Sequence, residues 1–394
     1  MSDSGQVITV DLAARSYPIA IGSGTLKEAG RLFREWLQIP EQQPARCLLV
    51  ADASLLSSHA PALTSSLKAA GLEVHSARIP SGESSKSYVQ MQALYDCLVD
   101  MSADRRTVVV ALGGGVTGDL AGFVAATYAR GLRFIQVPTT LLSMVDSSVG
   151  GKTGINHPRG KNLIGAFHQP VGVLIDTSTL ATLPDREYRS GLAEVIKYGV
   201  ILDPMFFEFL ECKVDGLNSR DRDVLRHVIA RSCELKADVV RQDEYETTGL
   251  RAILNYGHTF GHAFEAIAGY GNAGETTPVI KGTTTPEAAS LLHGEAVSIG
   301  MVCASRLAEK LGRITAADTQ RQRQLLAAVG LPVTVPRAIA SRSDELVRSM
   351  MLDKKTEGRE LRFVLPDRIG HVETVRGVTP ELALECIRDS TESP

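Results

Sequence analysis

The sequence predicts two domains, an α/β domain built on a doubly wound parallel sheet followed by a mostly α-helical one. Three observations predict this. Short β-branched runs alternate with helix-period stretches through the first half. Helical periodicity takes over from about Gly191. The length, 394 residues, is enough for two cores of ordinary size.

After a polar start at residues 1–6, CLLVAD (47–52), TVVVAL (107–112) and RFIQVP (133–138) have the apolar, β-branched character of buried parallel strands. Residues 89–101, between two of them, carry helical spacing. A boundary is placed near 180–190, in TLATLPDREY, where Pro184 breaks the pattern. This divides the chain into 1–185 and 186–394. Helices are expected over 192–211, 221–240, 251–268, 293–312 and 318–329. Residues 271–290, GNAGETTPVIKGTTTPEAAS, show no period and are rich in Gly, Thr and Pro, the composition of a surface insertion.

Hydrophobic residues are 44% and charged residues 22% of the chain, with a net charge of −3. That balance gives no reason to expect nucleic acid or a membrane surface as partner. The six cysteines form no CxxC pair, MSDSGQVITV is not signal-like, and the longest apolar runs are too short for a bilayer. A cytoplasmic protein with reduced thiols is expected.

Three groups of residues carry chemistry. The first is Gly113-x-Gly115-x-x-Gly118, placed between a predicted strand and a predicted helix. Glycines there let the backbone approach a pyrophosphate, and the helix N-terminus offers free N–H groups in a Rossmann-like setting. No acidic residue closes the next strand in the usual way. A tight strand-to-helix connection is the alternative. Gly151-Lys152-Thr153 ends like a nucleoside triphosphate loop, but Asp146 stands where that motif requires glycine. Its carboxylate would repel a triphosphate. Lys152 remains a candidate phosphate partner.

The second group is a potential metal centre. His258 and His262 share one helix face at i and i+4, His293 opens a later helix, and Glu194 sits in LAEVIKYGV. Three N/O ligands with one open position is the pattern of catalytic zinc. Spacing leaves open whether His262 is a further ligand or a base one turn away. Any one of these histidines alone is more often a hydrogen-bonded core or cap residue. The third group is a set of cations inside motif-like segments: Arg130, Lys152, Lys161, Lys197, Lys236, Arg251, Lys354 and Lys355. That set suits a small, multiply anionic substrate.

The segments ALGGGVTGDLAGFVAATYARG, VPTTLLSMVDSSVGGKTGINHPRGKNLIGAFHQP, GLAEVIKYG, LNYGHTFGHAFE, HGEAVSIGM and DKK closely resemble the 3-dehydroquinate synthase family, in order and over roughly residues 7–375. The resemblance implies a homodimeric cyclase that uses NAD catalytically on an acid sugar phosphate, with Zn2+ or Co2+. It implies Glu194, His258 and His293 as metal ligands and His262 as a phosphate contact and proton shuttle. Lys152, Asn162, Asn255 and Lys354, with Lys355 beside it, resemble the other phosphate-side groups, and Arg130 resembles one contributed across a dimer interface. Lys236 and Arg251 resemble a carboxylate clamp, while Asp146, Lys161 and Lys197 would line the reacting ring. For NAD the matching positions are Asp52, Glu83, Lys86, Gly113, Gly114, Gly115, Val116, Asp119, Thr139, Thr140 and Thr182, together with Asp146, Lys152 and Lys161. Ser54 departs from the family's frequent asparagine at the adenosine side.

Three other readings compete. A cyclase for a sugar phosphate without a carboxylate, such as 2-epi-5-epi-valiolone synthase, would not require Arg251 and Lys236. A metal-dependent polyol dehydrogenase would form NADH in net amounts. A catalytically inert binding module would not need a competent residue at every matching position.

Overall fold

The computed structural model describes residues 5–40, 43–268, 290–352 and 361–391. They fall into two compact units: Met1–Pro184 with Leu225–Thr247, and Asp185–Val224 with Thr248–Pro394. A single cut near 185 would have left 225–247 in the second unit, and the structure corrects this. Within the first unit, Cys233 Sγ donates to Met144 O at 3.3 Å and Lys236 Nζ to Asp146 Oδ1 at 2.7 Å, which ties the segment to residues 144–146.

The first unit is built on a seven-stranded sheet. Its strands are β1 (Gln6–Val10), β2 (Tyr17–Gly22), β3 (Ala45–Asp52), β4 (Leu72–Ile79), β5 (Val108–Gly113), β6 (Arg133–Pro138) and, after a separate hairpin of β7 (Lys152–His157) and β8 (Gly160–Phe167), β9 (Gly172–Asp176). The order is β1-β2-β9-β6-β5-β3-β4, parallel except for the β1–β2 edge pair. Pleating divides the strands between two cores. Cys47 and Leu49 of β3 with Val108, Val110 and Leu112 of β5 pack beneath α1 (Ala29–Leu37) and α2 (Ala60–Ala69). Leu48 and Val50 with Val109 and Ala111 face α3 (Tyr88–Asp100) and α4 (Gly115–Thr127). Burial on both faces is why the middles of these strands, residues 47–51 and 108–112, are continuously apolar. The chain steps outward from β3 to β4 and returns on the other side of β3 at β5, so the sheet's topological switch lies at the carboxyl ends of β3 and β5, where open α/β sheets bind ligands.

The second unit is helical: α5 (Asp185–Leu202), α6 (Pro204–Cys212), α7 (Val214–Asn218), the start of α8 (Arg222–Gln242), α9 (His258–Ala268), α10 (His293–Lys310), α11 (Ala316–Ala328), α12 (Arg337–Ala340), α13 (Ser343–Leu352) and α14 (Pro380–Asp389). The continuous helix expected over 251–268 is interrupted. Leu250–Asn255 is a 3₁₀ turn and Gly257 has φ +78°, so His258 becomes the first residue of α9. A hairpin of β10 (Leu361–Arg368) and β11 (His371–Val378) was not anticipated; its Phe363 packs on Phe260 of α9 with ring centroids 4.8 Å apart. No described helix is long and apolar enough to cross a membrane. The expected insertion, but for Ser290, lies outside the described residues.

Candidate active site

Backbone contact through glycines brings the metal-ligand candidates together. A Cβ on Gly300 of α10 would stand 2.1 Å from Gly257 O, and one on Gly294 would stand 1.9 Å from Ser190 O of α5. Gly261 of α9 meets Ala296 O at 3.1 Å in the same sense. Without side chains at these points, α5, α9 and α10 touch main chain to main chain, and Glu194, His258 and His293 converge. Their donor atoms all lie within 4.8 Å of one another.

This geometry fits an ion. Two ligands on a tetrahedral centre at ~2.1 Å lie about 3.4 Å apart; Nε2 of His258 and Nε2 of His293 are each 3.6 Å from Glu194 Oε1. Both histidines are held by the opposite nitrogen, His258 Nδ1 on Tyr256 O at 3.1 Å and His293 Nδ1 on Glu265 Oε2 at 3.4 Å. Those contacts assign the Nδ1–H tautomer and leave Nε2 as the donor atom. Burial and the nearby Lys197 ammonium push His258 down to about 3, keeping it the neutral imidazole a ligand must be. Burial also acts to lower His293, but its contacts with Glu194 and Glu265 override this and raise it to about 10. The spot beside Glu194 and Glu265 therefore favours positive charge, which a divalent ion supplies. Lys197, one turn along α5 and 2% exposed, forms an ion pair with Glu194. His262 stands edge-on to His258, ring centroids 5.3 Å apart, and 6.4 Å from His293. It is outside the converging donor set, so of the two readings the position one turn away fits. On the 3₁₀ turn before α9, Arg251 is buried at 3% exposure while Asn255 is exposed.

The first unit gathers the nucleotide-side residues at the carboxyl ends of its strands. Gly113 ends β5, Gly114 precedes α4 without a side-chain cap, and Gly115 and Val116 open the helix, so its first N–H groups point outward. A Cβ on Gly118 would meet Gln136 Oε1 at 2.7 Å, so glycine there lets α4 lie close on β6. Thr139 N donates to Gly113 O at 2.9 Å and Thr140 lies against Gly114. Asp52, at the end of β3, accepts from Ser54 N at 2.9 Å, Ser54 Oγ at 2.7 Å and Ser81 Oγ at 2.5 Å. Ser54 is thus turned onto Asp52. Lys86, 4% exposed, donates to Asp119 Oδ2 at 2.7 Å and to Asn162 Oδ1, with Glu83 at 3.8 Å. Burial acts to lower Lys86, but Asp119 and Glu83 outweigh it and raise it; burial raises Asp119.

Asp146 rides on a single π-helical turn, Ser143–Ser147, a feature common at functional sites, and holds Lys236. Lys152 forms an ion pair with Glu246, and Lys161 is half-buried on β8. Thr182 Oγ1 meets His59 Nε2 at 2.7 Å. Arg130 is exposed and sits with Ala129 and Gly131 in a run of three positive φ values, 49°, 68° and 124°. Such strain in non-glycine residues persists only where the surroundings hold it, often at functional sites. Lys354 and Lys355 lie outside the described residues.

Sequence reasoning missed Glu265, Asn156, Glu246 and His59. Glu265 was legible as the residue one helical turn beyond His262 on the ligand helix, at i+3; the others meet their partners only through the fold.

Profiles of the 3-dehydroquinate synthase N-terminal and C-terminal domains match residues 76–190 and 191–356. The chain belongs to the dehydroquinate synthase, or sugar phosphate cyclase, superfamily. Among solved structures it is similar to a 2-deoxy-scyllo-inosose synthase in complex with carbaglucose-6-phosphate, NAD+ and Co2+, at 26% identity over 98% of this chain and 100% of that one, TM-score 0.82. It is similar to the 2-epi-5-epi-valiolone synthase of Streptomyces hygroscopicus subsp. jinggangensis 5008 with NAD+ and Zn2+ bound, at 28% identity over 95% and 96%, TM-score 0.79. A glycerol dehydrogenase from Schizosaccharomyces pombe shares the fold at 18% identity over 94% and 88%, TM-score 0.62.

Proposed function

We propose that this member of the superfamily is a 3-dehydroquinate synthase, converting 3-deoxy-D-arabino-heptulosonate 7-phosphate to 3-dehydroquinate and phosphate with NAD+ and a divalent ion, Zn2+ or Co2+. The single observation that carries the choice of substrate is a guanidinium held nearly out of water, Arg251 at 3% exposure in the second unit. A buried guanidinium suits a substrate carboxylate, which it can meet with paired, charge-assisted hydrogen bonds. A cytoplasmic homodimer is part of the same reading.

The overall change is redox-neutral. Oxidation of the C5 hydroxyl acidifies the neighbouring C–H, phosphate leaves, the ketone is reduced back, the ring opens, and an intramolecular aldol step closes the carbocycle. When bound, NAD+ would accept and return one hydride, and the ion would polarise the oxygen being oxidised. This chain's residues do the rest. Glu194, His258 and His293 would hold the ion, with Glu265 and Tyr256 O fixing the imidazoles. The open N-terminus of α4, with Gly114, Gly115 and Val116, would take the pyrophosphate, and Asp52 and Thr182 the rest of the nucleotide. The phosphate-side candidates would be Lys152 and Asn162 in the first unit and Asn255, His262 and Lys354 in the second, with Arg130 from a second subunit. His262 would carry the proton taken up as phosphate leaves. The ring-side candidates would be Lys161 and Asp146 in the first unit and, in the second, Lys197, through its charge beside Glu194.

A second reading is another sugar phosphate cyclase, and the similarity to 2-deoxy-scyllo-inosose and 2-epi-5-epi-valiolone synthases favours it. The deciding experiment supplies the acid phosphate with trace NAD+ and zinc and follows phosphate together with NADH absorbance. Stoichiometric phosphate without accumulating NADH is expected. Accumulating NADH would mean a dehydrogenase. No turnover of the acid phosphate, with turnover of a heptulose or hexose phosphate that lacks the carboxylate, would establish the other cyclase.

A further inference from the structure

Asn156 of β7 joins two segments of the first unit that are far apart in sequence. Its backbone N–H donates to Lys86 O at 2.8 Å. Its side-chain Oδ1 accepts from Asn162 N at 2.9 Å, and its Nδ2 donates to Glu83 Oε1 at 2.7 Å. The amide orientation is fixed by chemistry, because a backbone N–H can only donate: Oδ1 must face Asn162 and Nδ2 must face Glu83. Asn162 is held at φ +54°, a conformation asparagine tolerates better than most residues, and its side chain in turn accepts from Lys86 Nζ. Two carboxylates, Glu83 and Asp119, therefore share one ammonium, Lys86, and Asn156 supplies the additional donor that Glu83 requires.

We infer that Asn156 is a positioning residue that locks the 80–87 loop to the β7–β8 hairpin, so that the nucleotide-side pair Glu83 and Lys86 and the phosphate-side Asn162 are held in one arrangement. The inference rests on the nucleotide reading of the first unit. It assigns Asn156 no contact with either ligand. Its consequence is that NAD+ affinity depends on the donor at Nδ2, and that a carboxylate in its place, added to Glu83 and Asp119 around Lys86, with Lys236 also acting on Asp119, undoes the clamp.

Asn156→Asp tests this, because it keeps the shape and the acceptor for Asn162 N but loses the donor and adds a charge. NAD+ affinity is measured by titration at pH 8 and pH 5.5 for wild type and variant, with melting temperature recorded at both. The expected result is a loss of at least about tenfold at pH 8 that shrinks at pH 5.5, where the carboxylate introduced beside Glu83 takes up a proton; metal affinity, which belongs to the other unit, stays unchanged. Asn156→Ala is expected to weaken NAD+ at both pH values alike. Affinity within about twofold of wild type in both variants overturns the inference. So does a loss in Asn156→Asp that is the same at both pH values and tracks a lowered melting temperature, since that is a folding defect. If wild type itself binds no NAD+, while Glu194, His258 and His293 still bind metal, the nucleotide reading fails and this inference with it.

Discussion

Replacing Gly300 by alanine puts the glycine-mediated helix contact to a quantitative test. The added Cβ would lie 2.1 Å from Gly257 O and 2.9 Å from Gly261 N, whereas real Cβ atoms essentially never come within 3.0 Å of a heavy atom. Both obstacles are backbone, so no side chain can swing aside, and α9 and α10 must separate by about 0.9 Å, the difference between 3.0 and 2.1 Å. Overpacking of this kind costs about 1–3 kcal/mol. For a unit of this size each kcal/mol is worth roughly 2–4 °C, so the melting temperature should fall by about 2–12 °C. Metal sites tolerate only about 0.2 Å in ligand distance. A separation several times larger, between the helices carrying His258 and His293, should weaken zinc at least tenfold in a chelator competition. Gly312→Ala is the comparison: its φ is +69° but no atom lies within 4 Å of the added Cβ. It should lower the melting temperature through backbone strain, about 1–2 kcal/mol, and leave zinc affinity alone. The reasoning is refuted if Gly300→Ala binds zinc within about twofold of wild type.

Four further outcomes are expected. Glu265→Ala removes the acceptor behind His293 and should weaken zinc about 10–100-fold by chelator competition, with Glu265→Gln recovering part of the loss; unchanged affinity in Glu265→Ala would mean that His293 needs no such support. Arg251→Met should cost about 10- to 150-fold in kcat/KM for the acid phosphate, from the ~1.5–3 kcal/mol of a charged hydrogen bond, without lowering zinc content; an equal loss on a substrate lacking the carboxylate would remove the clamp assignment. His168 is pushed below its usual value of 6.5 by burial, which outweighs its hydrogen bond to Leu132 O. The unfolded chain therefore binds this proton more readily, so His168 stabilises the fold fully above pH 6.5 and loses that contribution as pH falls toward its lowered folded value; His168→Phe should show a shallower fall in melting temperature between pH 6.5 and 5, and an identical profile would sink the assignment. Removing residues 273–288 should leave zinc affinity and turnover intact. α9 is 11 residues long, about 16 Å, and its start lies beside His293 with ring centroids 5.4 Å apart; the eight residues left between the helices reach roughly 26 Å, enough to close the gap.

The parallel strands were legible because burial on both faces makes them continuously apolar, and β3, β5 and β6 fall where CLLVAD, TVVVAL and RFIQVP stand. The β10–β11 hairpin was not, since LRFVLPDR carries Pro366 and two charged residues at its end and HVETVRGV alternates weakly. Residues 251–257 read as helix because Leu250, Ile253 and Leu254 keep helical spacing, but Gly257 at φ +78° ends that period. At the metal group, His258, His262 and His293 could be picked out by spacing and Glu194 by its segment. His262 falls outside the donor set formed where α9 and α10 meet at Gly257, Gly261 and Gly300, which spacing alone does not reveal. The segment 225–247 was assigned to the wrong unit because helical periodicity records that a face is buried, not which core buries it.

The contact between α9 and α10 also bears on how this chain can change over time. Because the two helices key directly into one another, their register does not depend on the segment that links them. That link, 24 residues from Ala268 to His293, lies between two of the proposed metal ligands, where added length would otherwise threaten function. Doubling it costs only about 0.6 kcal/mol in closure entropy. A change in the length of this segment can therefore leave His258 and His293 in step.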